Sequence, residues 1–180
     1  MNGWRNSALA VLMGAALTGA TACSPSGGTE NSPETSSPTS SENSLASVDP
    51  CTVLSETELK SFGLKIPGKS KSTLPWTSGC SYKGDPVRLS LVTNTRETVA
   101  SAEQKDTWAT FERTTVHDRA AATAITKGST QARICEVMFD AGNGMIQVQV
   151  SEPRLPDDVD ECAEALKIAK KVEPKVPEPS

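Results

Sequence analysis

Four cysteines, Cys51, Cys80, Cys135 and Cys162, are spread through a stretch that offers few large apolar anchors. Aromatic residues make up 4% of the 180-residue chain and hydrophobic residues 36%. A small core of that kind gains much from cross-links, provided its compartment is oxidising. A fifth cysteine, Cys23, makes the count odd and says which compartment is meant.

Residues 1–22 read as an export signal. Trp4 and Arg5 form a short charged start, and Ala8 to Leu17 is apolar but too short to be a permanent span. Ala20-Thr21-Ala22-Cys23 then places small residues where a signal peptidase needs them. Cleavage after Ala22 puts Cys23 at the mature amino terminus. That arrangement is similar to a bacterial lipobox, in which the thiol takes a diacylglycerol, although Ala20 stands where lipoboxes usually carry Leu. Ordinary secretion with the same cleavage is the alternative. Two or three acyl chains would give a stable anchor where one would not. The expected location is therefore the outer face of the cytoplasmic membrane, reached through lipid on Cys23, with secretion as the alternative.

Residues 23–48 come next as a tether. From residue 24 the segment holds nine Ser, three Thr, three Pro and three Glu, with only Leu45, Ala46 and Val48 apolar. Such a stretch buries too little surface to offset its ordering entropy, so disorder is expected. Residues 49–172 are expected to form one domain, and the Pro- and Glu-rich residues 173–180 a frayed tail.

Within the domain, Ser55 and Glu58 make a capping box that opens a helix reaching about Phe62. Residues 64–79, with Pro67, Gly68, Pro75 and Gly79, read as loop. Cys80-Ser81-Tyr82 reads as a short strand, and Val87 to Thr93 alternates as a strand does. Residues 97–111 have helical composition, with Trp108 and Phe111 as a buried pair. Arg113 to His117 fits a strand, and the Ala120-Ala121-Ala122 run is ambiguous. Arg133 to Phe139 and Met145 to Ser151 alternate around Asn143-Gly144 as a hairpin. A last helix is expected from Asp157-Asp158 to about Lys171, with Val159, Cys162, Ala163, Leu166 and Ala169 as its apolar stripe.

The four domain cysteines allow three pairings. Cys51–Cys80 and Cys135–Cys162 are favoured, since each ties the neighbourhood of a helix start to a strand that the helix can cover. No CxxC is present and His117 is the only histidine, which leaves no set of metal ligands. Gly63 to Ser70 satisfies the P-loop pattern, but the preceding strand and following helix that the pattern requires are missing. His117 beside Asp118 lacks a nucleophile motif and reads as a surface residue. Asp157, Asp158, Asp160 and Glu161 lack the spacing of a calcium loop and suit a helix start. Trp76 and Tyr82, on either side of Cys80, read as packing residues rather than the lining of a groove. A net charge of -4 gives no field for a phosphate backbone, so nucleic acid is not an expected partner. No cofactor is implied.

The order of motifs resembles that of one family, the actinobacterial lipoproteins grouped as a domain of unknown function, DUF3558. The resemblance rests on Asp49-Pro50-Cys51, then Leu54, Ser55, Glu58 and Leu59, then Trp76 and Cys80-Ser81-Tyr82. It continues with Cys135-Glu136-Val137 and Asp160-Glu161-Cys162-Ala163. Tyr82 stands where Trp would be more usual. The resemblance implies lipid anchoring and no particular activity. It extends, at the level of fold, to extracytoplasmic sensor-type domains of the same bacteria.

The expected fold is α+β: a curved antiparallel sheet with helices packed on one side and two disulfides. The expected function is a monomeric, non-enzymatic binding or interaction domain at the cell envelope, its partner an envelope protein or small molecule. The alternative is a small-molecule or lipid carrier with a cleft between sheet and helices. A deep apolar pocket would favour the carrier; His117 meeting a carboxylate and a nucleophile would favour an enzyme.

Overall fold

The computed structural model describes residues 44–129, 133–153 and 159–180. The expected export signal, Cys23 and the expected tether up to residue 43 lie outside them, as do Asp157 and Asp158. Among the described residues, seven strands form one open antiparallel sheet in the order β1-β2-β3-β7-β6-β5-β4. They are β1 Lys69–Lys71, β2 Thr77–Lys83, β3 Arg88–Asn94, β4 Trp108–Val116, β5 Arg119–Thr126, β6 Ile134–Ala141 and β7 Gly144–Ser151. Three helices accompany them: α1 Glu56–Ser61, α2 Val99–Glu103 and α3 Glu161–Val172. The fold is α+β. Two meanders, β1-β2-β3 and β4-β5-β6-β7, meet where β3 pairs with β7.

The expected alternation of the β6–β7 hairpin holds in detail. Cys135, Val137 and Phe139 pair with Val150, Val148 and Ile146, and all six side chains point to one face. Leu89 and Leu91 of β3 continue that face, and Tyr82 and Cys80 of β2 extend it. α1 and α3 cover it. The hairpin turn is Gly142-Asn143, one residue earlier than expected, so Gly144 is already the first residue of β7.

α1 begins at the capping box: Ser55 N–H donates to Glu58 Oε2 at 2.8 Å, and Glu58 N–H to Ser55 Oγ at 3.3 Å. α3 is capped by Asp160, whose Oδ1 accepts from Ala163 N–H at 2.9 Å. Its deepest residues are Ala165, Ile168, Ala169 and Val172, while Ala163 is exposed. The stripe is thus rotated from the expected one, with Ile168 as its largest fully buried side chain and Leu166 half-buried at its edge. Disulfides Cys51–Cys80 and Cys135–Cys162 hold α1's approach and α3 to the sheet, each with Cα atoms 5.0 Å apart.

Three other segments depart from expectation. Residues 97–111 contain only the five residues of α2, and Trp108 already opens β4. The run from Trp108 to Val116 is rich in Thr and aromatic residues, and strand packing outweighs its helical spacing. A register shift between Trp108 and Thr110 puts Trp108 and Phe111 on the same side, ring centroids 5.7 Å apart. The Ala-rich run is β5, joined to β4 by the two-residue turn His117-Asp118. The supposed loop 64–79 contains β1 and the first residues of β2.

Both ends of the described domain reach further than the sequence boundaries. Leu45 is fully buried, and its N–H donates to Asn143 Oδ1 at 3.2 Å. Residues 173–180 are not a frayed tail. Glu173 and Val176 are buried, and Gly142 N–H donates to the carbonyls of Pro177 and Glu178 at 3.1 Å. The last segment is a strap across the β6–β7 turn.

Candidate functional site

The space between the sheet and α3 leaves no room for a guest. Its apolar gap, bounded by Val53, Leu91, Ile146 and Val172, holds about 10 Å³, against the several hundred that small-molecule sites offer.

The opposite face of the sheet is different. α2 covers one corner, where Val99 and Ala102 join Ala122, Ala124, Met138 and Met145 in a second small cluster. Across β1, β2, β3 and β7, no described helix lies over this face. Strand pairing aligns one row of outward side chains across the whole sheet: Lys69, Ser81, Ser90, Gln149, Glu136, Ala124 and Phe111. The next row sets Lys83 opposite Arg88, and Arg88 opposite Ser151.

These rows line a groove of about 440 Å³, which Lys65 and Pro67 close from the side of α1. Lys65, Lys69, Lys83 and Arg88 bring four positive charges to it, and no carboxylate lines it. None of the four forms an ion pair with a described residue. In a chain of net charge -4 this is a local inversion of the field.

The backbone beneath the groove is tightly built. Lys65 N–H donates to Lys83 O at 2.8 Å. A Cβ added to Gly68 would come within 2.5 Å of the Tyr82 ring and 2.6 Å of Cys80 Sγ. Only glycine lets this segment cross so close over the disulfide. Gly63, with φ +70°, succeeds the end of α1. Both glycines of the P-loop look-alike thus have packing roles, in a helix-then-strand order opposite to a P-loop's.

Glu136 stands next to Gln149 in the row, buried, and accepts from Gln147 Nε2 at 2.7 Å. Burial pushes its pKa upward against that hydrogen bond and the charge of Lys105. A carboxyl whose folded pKa is raised costs stability as pH rises from the unfolded value through the folded one. Glu136→Gln is therefore expected to stabilise the domain at pH 8 by about 1–2 kcal/mol and to gain nothing below the ordinary carboxylate range. Urea unfolding at pH 4 and pH 8 tests this. A loss of stability at pH 8 would show that Glu136 is held as the anion.

His117, in the β4–β5 turn, does meet a carboxylate: its Nδ1 lies 2.5 Å from Glu173 Oε2. Arg119 Nε lies 2.6 Å from the other oxygen, Oε1, as an ion pair whose angle falls short of a hydrogen bond. Burial opposes ionisation of Glu173, but His117 and Arg119 outweigh it and hold its pKa below the usual range. The shallow hollow beside them is lined by Asp118, Asp140, Glu178 and neighbours, with no Ser, Thr or Cys. The arrangement ties down the strap, and Asp118 takes no part in those contacts.

The other sequence candidates have structural positions. Tyr82 is core, donating its hydroxyl to Cys51 O at 3.0 Å. Trp76 is half-buried, with the Arg96 guanidinium 4.2 Å from its ring centroid. Asp160 caps α3 and Glu161 sits in its first turn. The sequence reading missed the groove. A signal was present: residues 59–84 contain five lysines and no Asp or Glu.

An open α+β sheet, stapled twice and carrying a basic groove, is the class of domain these features define. The profile of a family described as a protein of unknown function, DUF3558, matches residues 18–175. The chain belongs to that family. Neither a curated protein nor a solved structure matches it.

Proposed function

We propose that the protein is a lipid-anchored binding domain at the outer face of the cytoplasmic membrane, monomeric and without catalytic activity of its own. The observation that carries the binding role is the pairing of a filled space beneath α3 with a basic groove whose four cations have no ion-pair partner among the described residues. Surface recognition fits that pairing better than carriage of a guest between the sheet and α3, where the gap of about 10 Å³ is too small. Anchoring is supported by the sequence: the export signal, Cys23 directly after Ala22, and the polar tether. The two disulfides suit an exported domain.

Cys23→Ala tests the anchor. The parent protein is expected in the membrane fraction, with a mature N-terminal peptide heavier by a diacylglycerol. The variant is expected to lose that mass and leave the membrane. An unmodified Cys23 at the mature N-terminus of the parent would overturn lipid anchoring and favour simple secretion.

A further inference from the structure

We propose that the groove on the open face of the sheet binds a saccharide carrying phosphate. The inference rests on the binding-domain reading and adds the class of ligand. Four cations with no described ion-pair partner call for a ligand with at least one dianionic group, and phosphate gives lysine and arginine several acceptor oxygens at once. Between the cations the groove is lined by hydroxyls and an amide. Ser81, Ser90, Gln149 and Ser151 are half-buried on the paired strands, and no side-chain hydrogen bond within the described residues occupies them. Their donors and acceptors lie on strand backbone fixed by pairing on both sides, which suits a ligand with several hydroxyls of its own. A volume of about 440 Å³ falls in the range of small-ligand sites. Glu136 is adjacent in the same row, but it is buried and does not line the groove.

A free or polymer-borne sugar phosphate and a lipid headgroup share this chemistry, and the vesicles in the test below separate the two sources.

The test uses the mature full chain with disulfides intact, titrated calorimetrically with glucose 1-phosphate, glucose 6-phosphate and fructose 1,6-bisphosphate. Fructose, inorganic phosphate and vesicles containing phosphatidylglycerol are the comparison probes. At least one sugar phosphate is expected to bind more tightly than inorganic phosphate, fructose not at all, and rising salt to weaken binding. Lys69→Ala, Lys83→Ala and Arg88→Ala are each expected to weaken it about five- to tenfold with the melting temperature unchanged. Ser90→Ala with Gln149→Ala should lower affinity for the sugar phosphate but not for inorganic phosphate. The proposal is overturned if no sugar phosphate binds, if the groove variants bind like the parent, or if inorganic phosphate or vesicles bind as well or better. Phosphorus NMR of the same mixtures keeps the two readings apart. Release of inorganic phosphate would end the non-enzymatic reading while leaving the groove as the sugar-phosphate site.

Discussion

Replacing Cys135 and Cys162 together by alanine is expected to lower the unfolding midpoint by on the order of 10 °C. The bridge closes 27 residues of sequence, which in the chain-entropy model is worth roughly 3–4 kcal/mol. Its place in the fold adds to the effect. Cys135 is buried in β6 beside Val150, and Cys162 is in the first turn of α3. Without the bridge, α3 is held by Ala165, Ile168, Ala169 and Val172, on one modest stripe. Calorimetry of the double variant checks the shift. The Cys51–Cys80 bridge closes 29 residues and predicts a loss of similar size, so a much smaller effect of either pair would mean that the reduced chain keeps that region ordered.

Glu173→Ala is expected to cost about 3 kcal/mol, the lower end of the range for removing one partner of a buried ion pair. Arg119 is 4% exposed and would keep only the carbonyls of Val176 and Pro177 and the exposed carboxylate of Glu178. The strap should loosen with it, so trypsin cleavage at Lys175 is expected to accelerate. The pH dependence has a definite sign. Because the folded pKa of Glu173 is depressed, its contribution is present above the ordinary carboxylate range and is lost as pH falls through the folded value. Glu173→Gln should therefore flatten the acid side of the stability curve. A double-mutant cycle with Arg119→Ala isolates the pair, and a coupling below about 0.5 kcal/mol would mean that Val176 and the backbone hydrogen bonds to Gly142 hold the strap.

The parts of this fold that could be read in the sequence are those set by short-range rules. The Ser55–Glu58 box and the alternation of β6 and β7 depend on spacing within one or two neighbouring elements, and the cysteine pairing followed from which strand each helix start can cover. Arg113 to Val116 of β4 could be read as strand, but its first half was hidden because Trp108 and Phe111 keep a helical interval that only the register shift at Trp108 makes compatible with a strand. The strap was hidden because Arg119 and Glu173 lie 54 positions apart, and nothing near Pro174 or Pro177 announces a buried anchor. The groove is the extreme case. Lys65, Lys69, Lys83, Arg88 and Gln149 come from five separate segments and are assembled by the pairing of four strands. A run of lysines without acids marks the region, but only the register shows which of them face one another.

The two ends of the described chain converge on the β6–β7 turn. Asn143 holds Leu45, and Gly142 receives the strap. A pull through Ser44 first meets the burial of Leu45 and its single hydrogen bond to Asn143. The next fixed point along the chain is the Cys51–Cys80 bridge, which passes the load covalently into β2. β2 is paired on both sides, with β1 and β3, so tension entering there is shared between two ladders.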